Sequence, residues 1–331
     1  MAFGSVIIAR AEARLKQEQQ SHTARRDALR QTIYEALPRT RAIDQQLRQT
    51  APNLLSAALH ADSDALEALK EENLNLQAEE AALLRAAGYP ADALDDLPFC
   101  PLCGDRGWRG ASMCDCLKKL CQQEQIRELS SMLDLGEQSF DTFRLDYYSR
   151  ETDPKYRRSP RENMEAVLTN CRNYAEQFDI WPHRNLLLFG DPGLGKTFLS
   201  ACIARVVSEK GYSVVYDTAS NVFSRMETRR FSRDSEEGRQ AEEATRRVLT
   251  CDLLILDDLG SEFTSPFIQS ALYELVNTRL IENRKTIISS NLNREELRKR
   301  YTPQVASRLE GEYLALPFFG QDIRLLKKYH R

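Results

Sequence analysis

Eight residues constrain this 331-residue chain more than any other stretch of it. Gly190-Asp191-Pro192-Gly193-Leu194-Gly195-Lys196-Thr197 follows the apolar run Leu186-Leu187-Leu188-Phe189 and precedes an amphipathic segment over 198–209. The glycines let backbone N–H groups turn inward around a phosphate, and the helix that follows adds the positive end of its dipole. In such a loop the lysine, here Lys196, reaches the outer phosphates, and the hydroxyl of Thr197 suits magnesium. The octet therefore predicts a nucleotide-phosphate site between a buried strand and a helix.

The surrounding pattern agrees. From about residue 161 onward a helix over 162–178 is followed by short, continuous apolar runs at 186–189, 213–216, 253–256 and 286–290, with helical segments between them. Such runs read as parallel strands covered on both faces, an α/β fold. The third run closes on Asp257-Asp258, and two carboxylates at a strand end suit magnesium chemistry: Asp257 holds the ion through water, and Asp258 orients or deprotonates an attacking water. The fourth ends at Asn291, a neutral amide placed to contact a γ-phosphate or the attacking water. Farther on, Arg308 in Ser307-Arg308-Leu309 suits charge neutralisation on a phosphate presented by a neighbouring subunit.

Taken together, the octet, the strand ending in Asp257-Asp258, the strand ending in Asn291 and the Ser-Arg-Leu triplet resemble an AAA+ ATPase, specifically the DnaC/DnaI-type bacterial replicative helicase loaders and their phage relatives. Gly260-Ser261-Glu262-Phe263, the stretch from Ser307 to Tyr313 and Gly320-Gln321-Asp322-Ile323-Arg324 are similar to that subgroup as well, so the resemblance covers roughly residues 98–331. It implies that Lys196, Thr197 and Asp257 bind ATP and magnesium, that Asp258 is the catalytic carboxylate, that Asn291 is sensor 1, and that Arg308 is a trans-acting arginine finger in a homo-oligomer. Asp258 stands where many AAA+ proteins have Glu, and a carboxylate drawn back by about one methylene suits slow hydrolysis. Arg324 is a candidate second phosphate sensor. The resemblance also implies that the N-terminal part grips the replicative helicase while the ATPase half contacts single-stranded DNA. An IstB-like transposition helper shares the ATPase motifs; a P-loop small-molecule kinase and a nucleotide-gated adaptor with almost no turnover are the readings from other classes.

Residues 1–97 are rich in Ala, Leu, Gln and Glu and poor in Gly, a helical composition cut by Pro38 and Pro52, and three or more helices are expected. Leu69, Leu76 and Leu83 lie seven apart, as in either a coiled-coil seam or one face of an antiparallel helical hairpin. Residues 1–60 carry nine basic and five acidic side chains, residues 61–97 two and ten, so the near-neutral total of −3 hides two opposite local charges.

Residues 98–121 hold Cys100-Pro101-Leu102-Cys103 and, ten residues later, Cys114-Asp115-Cys116. Four thiolates so spaced close a tetrahedron around zinc, with Cys121 an alternative to Cys116 as fourth ligand; a redox pair would leave Cys114 and Cys116 unexplained. Arg106, Trp108, Arg109, Lys118 and Lys119 would give this module a surface for single-stranded DNA or protein. Cys171, Cys202 and Cys251 read as small buried hydrophobes. Residues 122–160 form a connector in which Phe140, Phe143, Tyr147 and Tyr148 either stack unpaired bases or anchor the linker. The stretch 225–247, with seven arginines and six acids, suits a mobile loop over a DNA channel or a helix laced with opposite charges. No apolar stretch approaches the roughly 20 residues of a membrane span, and thiols at metal-ligand spacing suit a reducing cytoplasm.

Overall fold

The structure, a computed structural model, describes residues 3–59, 63–132, 138–232 and 235–329. In chain order its elements begin with α1 (Ser5–Ala36), α2 (Pro38–Leu59), α3 (Ser63–Ala86), β1 (Trp108–Arg109), β2 (Ser112–Met113) and α4 (Asp115–Met132). A single 3-10 turn at Leu145–Tyr147 leads to α5 (Pro160–Glu176), β3 (Asn185–Gly190), α6 (Lys196–Glu209), β4 (Val214–Thr218), α7 (Ala219–Phe231), α8 (Glu236–Thr250) and β5 (Leu253–Leu259). The chain continues with α9 (Pro266–Ile281), β6 (Lys285–Ser290), α10 (Arg294–Arg300), α11 (Pro303–Glu312), β7 (Tyr313–Phe318) and α12 (Ile323–Tyr329). It divides into two compact units, Glu12–Leu117 and Met1–Ala11 with Lys118–Arg331.

In the unit Glu12–Leu117, α2 and α3 form an antiparallel hairpin. Arg39 grips Glu79 with two hydrogen bonds of 2.8 and 2.9 Å, and farther along α2 the Asn73 amide donates to Thr50 Oγ1 at 2.8 Å, so partner numbers fall on α3 as they rise on α2. Ile33, Leu84 and Leu94 form a small core. Leu76 is buried and Leu69 and Leu83 are half-buried, as one face of the hairpin, whereas Leu74 points to solvent. Pro52 does not cut the helix as its residue type predicts: it lies inside α2. One missing donor costs about 3 kcal/mol, which tertiary packing along a 22-residue helix can offset.

The larger unit is built on a five-stranded, all-parallel sheet in the order β4-β5-β6-β3-β7. Alternation sends Leu186 and Leu188 to one face, with α5 and α6, and Leu187 to the other, with α7, α8 and α9. Both faces are covered, which is why these strands read as unbroken apolar runs. Four of the five strands begin within one residue of the expected runs. The fifth, β7, was not anticipated, because Pro317 interrupts its apolar pattern; the structure places it on the edge of the sheet, where a missing donor is tolerated. The other edge is closed by Gln125 of α4, whose side chain accepts from the Val214 N–H at 3.0 Å and donates to the Tyr212 carbonyl at 2.8 Å. The charged stretch 225–247 falls mainly in α7 and α8, as helix laced with opposite charges; residues 233–234 lie outside the described residues. Cys171, Cys202 and Cys251 are buried. Among the described residues no helix is long and apolar enough to cross a membrane.

Candidate nucleotide site

Strand β3 sits where the chain's path across the sheet reverses, with β6 on one side and β7 on the other, and ligands of parallel α/β sheets bind at the carboxyl ends of strands at such a point. The octet leaves β3 there and enters α6. Gly190 is obligatory, since a Cβ there would lie 1.9 Å from the Phe318 backbone carbonyl oxygen; at Gly193 a Cβ would displace the Asp322 carboxylate, 1.9 Å away, and both positions have a positive φ that strains any other residue. Asp191 and Pro192 form the exposed tip, Leu194 is buried beneath it, and Gly195 is the left-handed cap from which α6 starts. Tyr148 of the connector donates to the Leu194 carbonyl at 2.8 Å, and the N–H of Ile323 donates to the Gly193 carbonyl at 3.0 Å. The loop is thus held from both the preceding connector and the C-terminal segment.

Lys196 is buried, its Nζ donating to the carbonyls of Gly190 and Asp191 at 2.6 and 2.8 Å. Burial draws its pKa down to about 8, against the upward pull of Asp257, Asp258 and Asp191. Such an ammonium is poised to exchange weak carbonyl partners for an anion. Thr197 Oγ1 donates to Asp257 Oδ2 at 3.2 Å, bringing together the two groups expected to hold magnesium. The register of β5 against β6 shifts between Leu256 and Leu259, so Asp257 and Asp258 sit in a bulge, and Asp258 has a φ of 57°. A bulge re-aims side chains at the cost of local backbone strain. It turns the Asp258 carboxylate toward Asn291, whose Nδ2 donates to it at 2.6 Å. The structure therefore assembles Lys196, Thr197, Asp257, Asp258 and Asn291 in one place.

These groups line one wall of an open cleft of about 590 Å³, a volume within the range of small-molecule sites. The other wall is aromatic: Phe143, Tyr147 and Tyr148 come from the connector, with Phe143 stacked on Tyr148 at 5.8 Å between ring centroids and edge-on to Phe198 at 5.5 Å. A flat base can pack on such a wall while its phosphates reach the loop. Arg324 also lines the cleft, its Nε 3.6 Å from Asp322. Arg308 is not brought to it. That guanidinium donates to Asn277 Oδ1 at 2.7 and 3.1 Å and to the Tyr273 hydroxyl at 3.1 Å, and lies over the Tyr273 ring.

In the other unit the sulfurs of Cys100, Cys103, Cys114 and Cys116 lie within 4.8 Å of one another, and Cys121 is not among them. A tetrahedral ion with metal–sulfur distances of about 2.3 Å requires sulfur separations of about 3.8 Å. Cys100 and Cys114 are 3.8 Å apart and Cys103 and Cys116 3.5 Å, so the group lies close to the spacing that zinc requires. The turn is shaped for it: the Gly107 N–H donates to Cys103 Sγ at 3.3 Å, and Asp105 accepts from the N–H groups of Cys100 and Phe99 at 2.7 and 3.2 Å. The thiol of Cys114 is drawn down to about 7, chiefly by a hydrogen bond from the backbone of Cys116.

Several residues of the site carry no signal of their own in the sequence. Tyr216 and Ser289 both hydrogen-bond to the Asp257 carboxylate, which follows from the lateral order of β4, β5 and β6. Phe231 at the end of α7, 71% exposed, lies 6.3 Å from Phe267 at the start of α9, with the Arg230 guanidinium 5.8 and 5.7 Å from the two rings. Phe263, 89% exposed, belongs to the loop between β5 and α9. An aromatic next to arginines in 225–247 was the available clue to this cluster.

Residues 175–306 match the family described as "IstB-like ATP binding protein". The chain is 30% identical over 149 residues to the replicative helicase loader DnaC of Escherichia coli (strain K12), covering 45% of this chain and 58% of the relative. It is 32% identical over 120 residues to the replicative helicase loader DnaI of Bacillus subtilis (strain 168), covering 36% and 37%. The alignments thus span little more than half the length of DnaC and about a third of DnaI. A crystal structure of the DnaC helicase loader matches with a TM-score of 0.44 at 19% identity, over 56% of this chain and 99% of that one. Over its P-loop part the chain is thus similar in sequence to the IstB-like ATP-binding proteins and to the DnaC and DnaI helicase loaders.

Proposed function

We propose that the chain is an ATP-dependent loader of a replicative helicase, hydrolysing ATP slowly in the cytoplasm at an interface between its own copies. The observation that carries the reading is the division of labour among its motifs. Asp258 and Asn291 are already hydrogen-bonded to each other on one wall of the cleft, whereas Arg308 is held on α11 against α9 and does not line it. A site with an aromatic wall, a phosphate loop, an activating carboxylate and Arg324 at its rim is completed by a neighbour's Arg308.

Lys196 and the loop amides of Gly193 to Thr197 hold the phosphates, Thr197 and Asp257 hold magnesium, and Asp258 takes a proton from water held with the help of Asn291. Magnesium, when bound, neutralises charge on the phosphates. Phe231, Phe267 and Arg230 provide a stacking platform with cationic edges, suited to single-stranded DNA. The helical region 1–97 is the grip on the helicase, followed by the zinc module of Cys100, Cys103, Cys114 and Cys116, the connector 122–160 and the ATPase domain 161–331. Zinc in that module is structural, and elemental analysis should find one equivalent per chain, lost with Cys103→Ser.

Capture of purified candidate helicases by the purified chain, with and without ATP, tests the loader reading, together with turnover stimulated by helicase or single-stranded DNA. The match of residues 175–306 to IstB-like proteins favours a second reading, a transposition helper. ATP-dependent capture of a transposase, with no helicase captured, selects it. Phosphoryl transfer to a small acceptor overturns both.

A further inference from the structure

The Asp257 carboxylate is 8% exposed, yet it is surrounded almost wholly by hydroxyl groups. Thr197 donates to its Oδ2 from the first turn of α6, Tyr216 donates to the same oxygen from β4, and Ser289 donates to Oδ1 from β6. The three donors come from three different elements, and the two strands concerned flank β5 on either side. In the register of the sheet Thr218 stands opposite Asp257, so Tyr216 lies two residues back on the same face and its ring spans that distance. Tyr216 and Ser289 are themselves buried, at 6% and 1% exposure, so neither hydroxyl exchanges readily with solvent.

We propose that Tyr216 and Ser289 are positioning residues for magnesium: they fix the Asp257 carboxylate so that it stays aimed at the ion's water shell when the Thr197 hydroxyl turns from the carboxylate to the metal. The inference rests on the ATPase reading above. A carboxylate oxygen accepts more than one hydrogen bond, so the buried donors on Asp257 leave lone pairs for metal-bound water while removing rotational freedom about the Cβ–Cγ bond. Partners of a direct metal ligand are worth about 10–100-fold in metal affinity; Asp257 reaches the ion through water, so its own partners are worth less. Ser289 has a second duty. Its Oγ accepts from the backbone N–H of Asp258 at 2.9 Å, so one hydroxyl links the carboxylate that holds the ion to the strained residue that handles the attacking water. Tyr216 touches only the first of the two. The two residues therefore differ in reach: loss of the Tyr216 hydroxyl acts through Asp257 and Thr197, the two groups that hold magnesium, whereas loss of the Ser289 hydroxyl also frees the backbone N–H of Asp258.

The test uses the full chain, a fluorescent ATP analogue and a magnesium titration, with binding in EDTA as the metal-free reference. Tyr216→Phe keeps the ring in its place and removes one oxygen; Ser289→Ala removes the other, and Ser289→Thr restores a hydroxyl. In EDTA all variants should bind the analogue within about twofold of the parent. With magnesium, Tyr216→Phe and Ser289→Ala should each raise the half-saturating magnesium concentration about three- to tenfold, and Ser289→Thr should bring it back. At saturating magnesium Tyr216→Phe should recover more of the parent's turnover than Ser289→Ala does. If the parent binds the analogue and both single-hydroxyl variants titrate with magnesium as it does, the positioning role is wrong and the ATPase reading stands. A parent that binds no nucleotide in any condition overturns both.

Discussion

The two ends of the sheet each bury a cation, and they use it in opposite ways. At the carboxyl end Lys196 holds only two carbonyls of its own loop, in an open cleft, with burial pulling its pKa to about 8. At the amino end Arg279, with no exposed surface, donates to the carbonyls of Val248, Leu249, Cys251 and Lys285 and to Thr286 Oγ1, bolting the end of α8 to the start of β6. Among the described residues neither side chain is in an ion pair. The difference lies in satisfaction: the guanidinium has enough fixed acceptors to stay for the life of the fold, while the ammonium is under-provided and so available to an incoming phosphate. A buried cation by itself therefore says nothing about function, and neither does unmet valence alone, since the Lys285 ammonium is buried at the amino end with no hydrogen-bond partner among the described residues; Lys196 differs in that its ammonium lines the open cleft.

The sharpest way to break this contrast is to remove Arg279. Arg279→Leu takes the guanidinium away from four carbonyls and should lower the unfolding free energy by about 3–5 kcal/mol in denaturant titrations, while leaving nucleotide affinity unchanged below the new melting temperature. Affinity lost in step with stability would merge the two ends into one. Lys196→Ala should do the reverse, reducing affinity for ATP about a hundredfold with no loss of melting temperature, since the cost of burying the ammonium disappears with it. Asp258→Asn should slow turnover at least about a hundredfold and keep binding intact, because asparagine accepts the positive φ readily. Turnover equal to the parent's would instead support a nucleotide-gated adaptor.

The smallest effect sharpens the comparison through pH. A lysine whose folded pKa lies below its unfolded value binds fewer protons when folded, so its burial penalty is present below about pH 8 and is relieved as pH rises toward the unfolded value near 10.5. Affinity for phosphate moves the other way, since only the ammonium attracts it, and should fall about tenfold per pH unit above about 8, with proton uptake on binding visible by calorimetry in buffers of different ionisation enthalpy. Lys285 provides a control. Burial brings it also to about 8, over the rings of Phe178 and Tyr174 at the amino end. In Lys285→Met the pH dependence of nucleotide binding should be that of the parent; a flattened profile would mean that the far end of the sheet, and not Lys196, sets it.

Much of this architecture was legible in the residues. The octet, the apolar runs and the carboxylate pair are local patterns whose meaning depends on nearest neighbours along the chain, and the structure brings Lys196, Thr197, Asp257, Asp258 and Asn291 together. Strand β7 was hidden because an edge strand with a proline needs no continuous apolar signal. Tyr216 was hidden because its partner is 41 positions away on an adjacent strand. The aromatic residues of the connector were visible as a cluster, but only folding decided that Tyr148 ties down the phosphate loop while Phe143 and Tyr147 line the cleft.

The sequence by itself determined which chemical groups are available and where the chain turns, because glycine, proline and short apolar runs act through sterics and solvation within a few residues. Tertiary structure alone decided which of those groups meet. It packed Arg308 against α9, it chose Cys116 to complete the four-sulfur cluster, and it surrounded one carboxylate with three hydroxyls. Strand order and helix packing are set by burying whole faces at once, and no window along the chain contains that sum.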